Sequence, residues 1–373
     1  MRIGVDVKCL RSNNSGIGRY VVGLLGALGR IDSGNDYVLF SPRETGLAAP
    51  GPRFRQVVAP RGSLWEKAPG ILWQQIALPG LLAKEKIDVF WGPEQTLPLR
   101  CGIPAVLTVH DFVHRRCPET MRASVRWIVR TFGDRSVEKA SVVAANSEFT
   151  RKELLRFHPG LPAGRIAVVP CGVDAADAAK APAVPRERRL LFVGSVEPRK
   201  NLKNLVAALE LLAGRGVRVP LTLAGPAGWK NRETNELLAR SAVAEDVRRA
   251  GFVDDAELRR LYAGSAALVL PSVYEGFGLP VLEAIREGTP VLTTKGSAME
   301  DVAGKCGIYF DARSPESIAE AIGRFLEAGA PGFSENQEAE RARILERHDW
   351  NRSAGILLDL FRKLGSGEAG EAE

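Results

Sequence analysis

Short apolar runs alternate with helical stretches along almost the whole chain, and this rhythm constrains the fold more than any other feature. The runs Arg2 to Val7, Tyr37 to Phe40, Asp88 to Phe90, Ala105 to Thr108, Ser141 to Ala145 and Ile166 to Val169 form a first series. After Cys171-Gly172-Val173-Asp174 comes an Ala/Pro/Arg stretch, Ala175 to Arg189, with no core pattern. A second series then starts at Leu190 to Gly194 and continues through Leu221 to Ala224, Val247 to Phe252, Ala267 to Leu270, Val291 to Thr294 and Gly307 to Phe310. Strands alternating with helices mean parallel sheets covered by helices. With 373 residues the chain exceeds the size at which one core usually stops growing, so two doubly wound halves of similar size are expected. Sheets of this kind bind ligands beyond the carboxyl ends of their strands.

Composition narrows the class. At 45% hydrophobic and 25% charged residues, the chain is that of a globular protein. Met1 to Leu10 alternates Ile3, Val5 and Val7 with polar residues and reads as a first strand, not a signal peptide, so a cytoplasmic location is expected. The apolar run Tyr20 to Gly29 is broken by glycine and falls short of the ~20 residues needed to cross a bilayer. Cys9, Cys101, Cys117, Cys171 and Cys306 have neither the paired spacing of a zinc site nor the density of a disulfide scaffold, and read as reduced thiols. A net charge of +7 favours anionic partners without choosing among nucleic acid, acidic lipid and phosphorylated ligands. The Gly/Glu/Ala tail after Leu364 has the composition of a disordered end.

Two segments carry the strongest chemical signal. From Leu268 to Gly288 the order is strand, glycine-rich loop, then a short helix with Pro280 in its first turn and Gly288 closing it. The amides of Gly276, Phe277, Gly278 and Leu279, with a helix dipole behind them, make a cradle for a diphosphate. Glu275 and Glu283 flank that turn and can both face one cleft, where a carboxylate accepts sugar hydroxyl protons. The second segment, Val193-Gly194-Ser-Val-Glu-Pro-Arg199-Lys200-Asn201, leaves a strand and turns at Pro198 into a helix over Leu202 to Leu212. It places two cations at a helix start, where they are disfavoured unless an anion occupies the gap.

Weaker signals lie nearer the amino terminus. Ser15-Gly16-Ile17-Gly18-Arg19-Tyr20 follows the first strand and opens a helix as a phosphate or substrate loop would. It lacks the third glycine of the dinucleotide fingerprint and an acid at the end of the next strand. His110-Asp111 ends the strand at Ala105, a functional position in such sheets, although a lone histidine is more often structural. No serine elbow, His-Glu-x-x-His or Gly-Lys-Thr loop is present, so serine hydrolase, zinc hydrolase and P-loop mechanisms have no residues to run on.

Taken together, these residues resemble the GT-B glycosyltransferases of family 4, and within them the bacterial mannosyltransferases of O-antigen and exopolysaccharide assembly. The resemblance rests on Arg2 to Asp6 with Ser15 to Tyr20, on Gly194 to Leu202, on the two-glutamate motif from Glu275 to Glu283 and on the closing motif His348 to Ala354. It implies two Rossmann-like domains facing a central cleft. Residues 1–174 would form the acceptor side, with a last helix over 350–364 crossing back onto it, and residues 190–345 the donor side. Carried over by position, Arg199 and Lys200 hold the donor diphosphate beside Gly194, Glu283 binds the ribose hydroxyls and Glu275 contacts the transferred sugar. The amides at 276–279 complete the cradle, with Gly16 near it and His110 reaching the sugar from the amino-terminal side. Phe252-Val253 contacts the base edge. Ser195 departs from the arginine that many members carry after the matching glycine, so Arg199 must supply that charge.

The resemblance further implies retention of anomeric configuration with no metal and no cofactor, the nucleotide diphosphate sugar being a co-substrate. GDP-mannose is the favoured donor. UDP- and dTDP-sugars stay open, as do a GT-B epimerase and a non-catalytic sugar-nucleotide-binding scaffold. The implied partners are the donor and a polyprenyl-linked or polysaccharide acceptor, with no nucleic acid. Arg115, Arg116, Arg122, Arg126, Arg130 and Arg135, interleaved with Trp127, Ile128 and Phe132, make a basic amphipathic helix pattern over 115–139. It reads equally as a contact with the anionic inner face of the cytoplasmic membrane or as a core helix with a solvated basic side. Leu64 to Pro79 likewise reads as acceptor-side lining or as core.

Overall fold

A computed structural model describes residues 1–11, 16–174 and 184–367. Ser15, residues 175–183 of the Ala/Pro/Arg stretch and residues 368–373 of the tail lie outside them. The chain divides into two compact units. The first takes Met1–His114, Ala123–Gly172 and the chain from His348; the second takes Arg115–Arg122 and Val173–Arg347.

The first unit contains β1 (Arg2–Asp6), β2 (Asp36–Ser41), β3 (Phe54–Val58), β4 (Val89–Gly92), β5 (Ala105–Val109), β6 (Val142–Ala145) and β7 (Ile166–Val168). They form one parallel sheet in the order β3-β2-β1-β4-β5-β6-β7, with Val5 of β1 facing Leu39 on one side and Trp91 on the other. Strand β3 has no counterpart in the apolar runs. It is an edge strand in which only Phe54 is fully buried, so its sequence carries no continuous apolar signal.

Helix Gly16–Ile31 buries Tyr20, Val21, Leu24, Leu25 and Leu28 at helical spacing. Against it lies the last helix, Trp350–Gly365, whose start is capped by Asp349 accepting from the amides of Asn351 and Arg352. The two helices approach closely at Gly23, where a Cβ would lie 2.3 Å from the Trp350 ring.

In the second unit, β8 (Glu187–Val193), β9 (Leu221–Ala224), β10 (Val247–Gly251), β11 (Ser265–Leu270), β12 (Val291–Thr294) and β13 (Gly307–Phe310) form a parallel sheet in the order β10-β9-β8-β11-β12-β13. The order reverses between β8 and β11, which pair through Leu190 with Ala267 and Leu191 with Leu268. Segments 75 residues apart in sequence are thereby brought side by side at the carboxyl edge where such sheets bind ligands.

Residues 115–139 are not one basic helix. Arg115–Arg122 packs in the second unit and contains a 3-10 turn at Pro118–Thr120. Pro118 lacks the amide that a continuous helix would need. Helical backbone resumes at Ala123–Ile128, passes through a π-helical turn at Val129–Gly133 and ends in Asp134–Lys139. Within Leu64 to Pro79, Trp73, Gln74 and Leu78 are buried in the core, while Leu64, Leu72 and Ile76 are exposed.

Candidate active site

The site in the second unit is built on the two loops that leave β8 and β11. At the end of β8, Gly194 has φ +149°, and beyond β9 Gly225 has φ +141° with its Cα so close that a Cβ would meet the Gly194 carbonyl oxygen at 2.3 Å. Arg199 and Lys200 sit on a 3-10 turn, Pro198–Lys200, and not in the first turn of the following helix, which spans Leu202–Gly214. Between turn and helix stands Asn201 in a left-handed conformation, φ +59°. Its amide donates to Pro271 O at 3.0 Å and Ala312 O at 2.7 Å, tying the loop to those after β11 and β13. The Val273 amide donates to Arg199 O from the β11 side. The positions of both cations are therefore fixed by backbone and not by their own flexible side chains.

On the opposite loop, Gly278 caps helix Leu279–Arg286 with φ +101°, and a Cβ there would lie 2.7 Å from Met299 Cγ. Only glycine fits. Pro280 stands in the first turn and Gly288, φ +73°, follows the helix.

The expected anion in the gap between the cations is supplied, in the chain itself, by Glu275. Arg199 Nη1 donates to Glu275 Oε2 at 2.5 Å and to Tyr274 O at 2.8 Å, and Arg199 Nη2 donates to Glu197 Oε1 at 2.9 Å. Lys200 Nζ donates to Glu275 Oε1 at 2.5 Å. Lys200 is only 9% exposed, so its charge is held by pairing and not by water. Burial works to raise the Glu275 carboxyl, but Arg199 and Lys200 outweigh it and hold it at about 2. At Glu197 burial prevails over the pull of the same cations, and its carboxyl is raised. Two carboxylates in one cluster are thus pushed in opposite directions.

Glu283 is buried one turn into its helix and accepts from the Tyr262 hydroxyl at 2.8 Å. Glu275 and Glu283 are therefore held by separate partners: one by cations, the other by a neutral phenol. Phe252 and Val253 follow β10, the edge strand, with the Phe252 ring exposed and Val253 half-buried. The loop after β9 also carries Trp229, whose Nε1 donates to Thr120 O at 2.6 Å, and Lys230, whose Nζ donates to Glu119 O at 2.6 Å. Arg122 lies over the Trp229 ring at 5.9 Å.

His110 and Gly16 belong to the first unit. Gly16 is the exposed first residue of its helix. His110, at the end of β5, is buried against the Tyr20 ring, and its Nε2 faces Pro93 O at 2.7 Å. Burial lowers its pKa, so the ring is neutral and its one proton is committed to Pro93. In that neutral tautomer Nδ1 is the ring's acceptor nitrogen. At the switch point of this sheet, between β1 and β4, Lys8 Nζ bridges Asp6 Oδ2 at 2.7 Å and Glu94 Oε2 at 2.9 Å, and Gln74 Nε2 donates to Asp6 at 2.8 Å. Burial opposes the Lys8 charge, and the two carboxylates overcome it and raise its pKa.

Sequence reasoning missed Glu197, Asn201, Tyr262 and the Asp6–Lys8–Glu94 bridge. Glu197 lies inside the segment that drew attention, but an acid beside two cations reads as solvated charge pairing. Nothing in the sequence connects Tyr262 to Glu283. Among the described residues no group of three or more His, Cys, Asp or Glu is arranged to hold a metal ion, and no helix is long and apolar enough to cross a membrane.

Residues 14–177 match the family model described as Glycosyltransferase Family 4, and residues 174–343 match that of Glycosyl transferases group 1. O-antigen chain mannosyltransferase B of Escherichia coli is 32% identical over 246 residues, covering 63% of this chain and 64% of that protein. A D-inositol 3-phosphate glycosyltransferase of Kineococcus radiotolerans is 32% identical over 271 residues, covering 65% of this chain and 62% of that protein. The chain thus spans less than two thirds of these relatives' own length. Among solved structures, sucrose-phosphate synthase from Thermosynechococcus elongatus aligns with a TM-score of 0.76 at 22% identity, over 98% of this chain and 100% of that one. HepE from Anabaena in complex with UDP and glucose aligns with a TM-score of 0.72 at 20% identity, over 97% and 100%. At such identities the likeness speaks for the fold, GT-B, with its two Rossmann-like units. Between them the two family models take in both units and both halves of the cation and glutamate cluster, and the chain belongs to family 4 of the glycosyltransferases.

Proposed function

We propose that this chain transfers mannose from GDP-mannose to a lipid-linked or polysaccharide acceptor in cell-surface glycan assembly, with retention of configuration and without a metal ion. The observation that carries the transferase reading is the pairing of half-buried Arg199 and buried Lys200 with Glu275 at the switch point of the second unit. Among the described residues Lys200 donates to one partner, Glu275, and an ammonium has three protons to give, so a phosphate oxygen can be added without breaking that bond. Two fixed cations and the amides before helix Leu279–Arg286 would neutralise charge growing on a departing nucleotide diphosphate, the task a divalent ion performs elsewhere. Glu283 accepts ribose hydroxyls, and Glu275, held ionised, accepts from the transferred sugar. Glu275, the carboxylate assigned to the transferred sugar, has both oxygens engaged by cations, which supports front-face transfer with a donor phosphate oxygen taking the acceptor proton. A covalent glycosyl-enzyme trapped by mass spectrometry would overturn that route.

The mannose assignment rests on likeness to the Escherichia coli mannosyltransferase. The likeness to a structure holding UDP and glucose favours a second reading, a UDP-sugar donor on the same machinery. Thermal stabilisation by GDP, UDP and dTDP, each with Mg²⁺ and with EDTA, separates them, because a bound ligand raises apparent stability by mass action. Stabilisation by GDP, indifferent to EDTA, is the expected result. A UDP preference replaces the donor, dependence on Mg²⁺ removes the metal-free mechanism, and no response to any nucleotide favours a non-catalytic scaffold. We further propose peripheral contact with the inner face of the cytoplasmic membrane, supported by the exposed Trp127 among Arg130, Arg135 and Lys139.

A further inference from the structure

Glu197 presents a problem that pairing with Arg199 does not solve. The residue is 2% exposed; its Oε1 accepts from Arg199, while its Oε2 is buried with no hydrogen-bond partner among the described residues. A buried carboxylate oxygen without a donor is costly and calls for an explanation. The charged groups around it are Arg199 and Lys200 on its own turn and Glu275 on the loop after β11. Packed behind it is the backbone of Gly228, and the next cation on that loop, Lys230, is turned to Glu119 O. Lys200 points to Glu275. Among the described residues no cation donates a hydrogen bond to Oε2.

With both glutamates ionised, the cluster Glu197–Arg199–Lys200–Glu275 has no net charge, a poor receptor for a diphosphate. With a proton on Glu197 it carries one positive charge, and the orphan oxygen becomes a donor in want of an acceptor. We propose that Glu197 binds the donor as a neutral carboxylic acid, its Oε2–H donating to a diphosphate oxygen held by Arg199 and Lys200, so that donor binding takes up a proton at this residue. The proton comes from solvent and returns to it on release, and no covalent bond changes. Burial already favours the protonated form, and an arriving anion favours it further. The inference rests on the nucleotide-sugar reading above and adds a residue and a proton to it.

The test is isothermal titration of the full chain with GDP-mannose and with UDP-glucose at pH 6 and pH 8, in two buffers of different ionisation enthalpy. The diphosphate of a nucleotide sugar does not titrate in this range, so any slope belongs to the protein. The wild type is expected to lose at least about fivefold in affinity from pH 6 to pH 8 and to take up protons on binding. Glu197→Gln, whose amide donates at both pH values, is expected to bind within about twofold of wild type at pH 6, to keep that affinity at pH 8 and to take up none. Glu197→Ala should bind about tenfold more weakly at pH 6. A flat wild type, a slope that survives in Glu197→Gln, or a Glu197→Gln variant as weak as Glu197→Ala each overturns the proposal while leaving the donor reading standing. Failure of the wild type to bind either nucleotide sugar overturns the donor reading, and this proposal with it.

Discussion

Glu275 meets Arg199 and Lys200 at 2.5 Å each, and that contact has two measurable consequences. The first concerns acid stability. A carboxyl whose folded pKa is depressed contributes stability that is present above its unfolded value and lost as the pH falls through its folded value. For Glu275 the window runs from 4.5 down to about 2. Glu275→Gln is therefore expected to be less stable than wild type at pH 7 and to vary less between pH 5 and pH 3, read from urea midpoints. The second concerns the donor. Hydrogen bonds to charged groups are worth about 1.5–3 kcal/mol, so Lys200→Met should weaken nucleotide binding by about ten- to a hundredfold in a calorimetric titration. Tyr262→Phe removes a neutral donor from Glu283, worth about 1 kcal/mol, and is expected to raise the donor KM about fivefold with kcat changed less. A fall in kcat with KM unchanged would place Tyr262 in the chemical step.

At the scale of elements, the site depends on how tightly the first βα turns of the second unit pack. Gly225 sits at φ +141° with the Gly194 carbonyl 2.3 Å from where a Cβ would be, and the contacting atoms are backbone that cannot rotate away. Gly225→Ala should cost about 1–3 kcal/mol in denaturant unfolding and shift Gly194, hence the cations beyond it, weakening nucleotide binding as well. An alanine variant with wild-type stability would show that β8 and β9 can separate without harm. Much of this was legible in the sequence, because strands such as Leu190–Val193 and Ala267–Leu270 are continuous apolar runs in a parallel sheet buried on both faces. Strand β3 was not, since an edge strand carries half-polar residues. The two glutamates and two cations were legible as a motif of spacing and glycine placement. Their mutual pairing was not, because it depends on β8 lying beside β11, and strand order leaves no mark on local sequence.

The whole chain passes between the two units four times, at His114, Arg122, Gly172 and Arg347. Neither unit is a contiguous piece of sequence, and the first is completed only by residues from His348 onward. A net charge of +7 is spread over this molecule, and near the π-helical turn at Val129–Gly133 it coincides with apolar exposure: Trp127 is 60% and Val125 43% exposed, with Arg130, Arg135 and Lys139 also exposed. An indole at an interface and basic residues near an anionic leaflet act together, each basic residue adding about 1 kcal/mol. The protein is therefore expected to co-sediment with vesicles containing phosphatidylserine, to ignore vesicles of phosphatidylcholine alone, and to be released by high salt, which screens the attraction. The double variant Trp127→Ser with Arg130→Ser should lower vesicle affinity by about tenfold or more, while stabilisation by nucleotide stays at the wild-type level, since both residues belong to the first unit and the cation cluster to the second. Equal binding of wild type and variant would return this face to the role of a solvated surface and leave the acceptor to be found by the site alone.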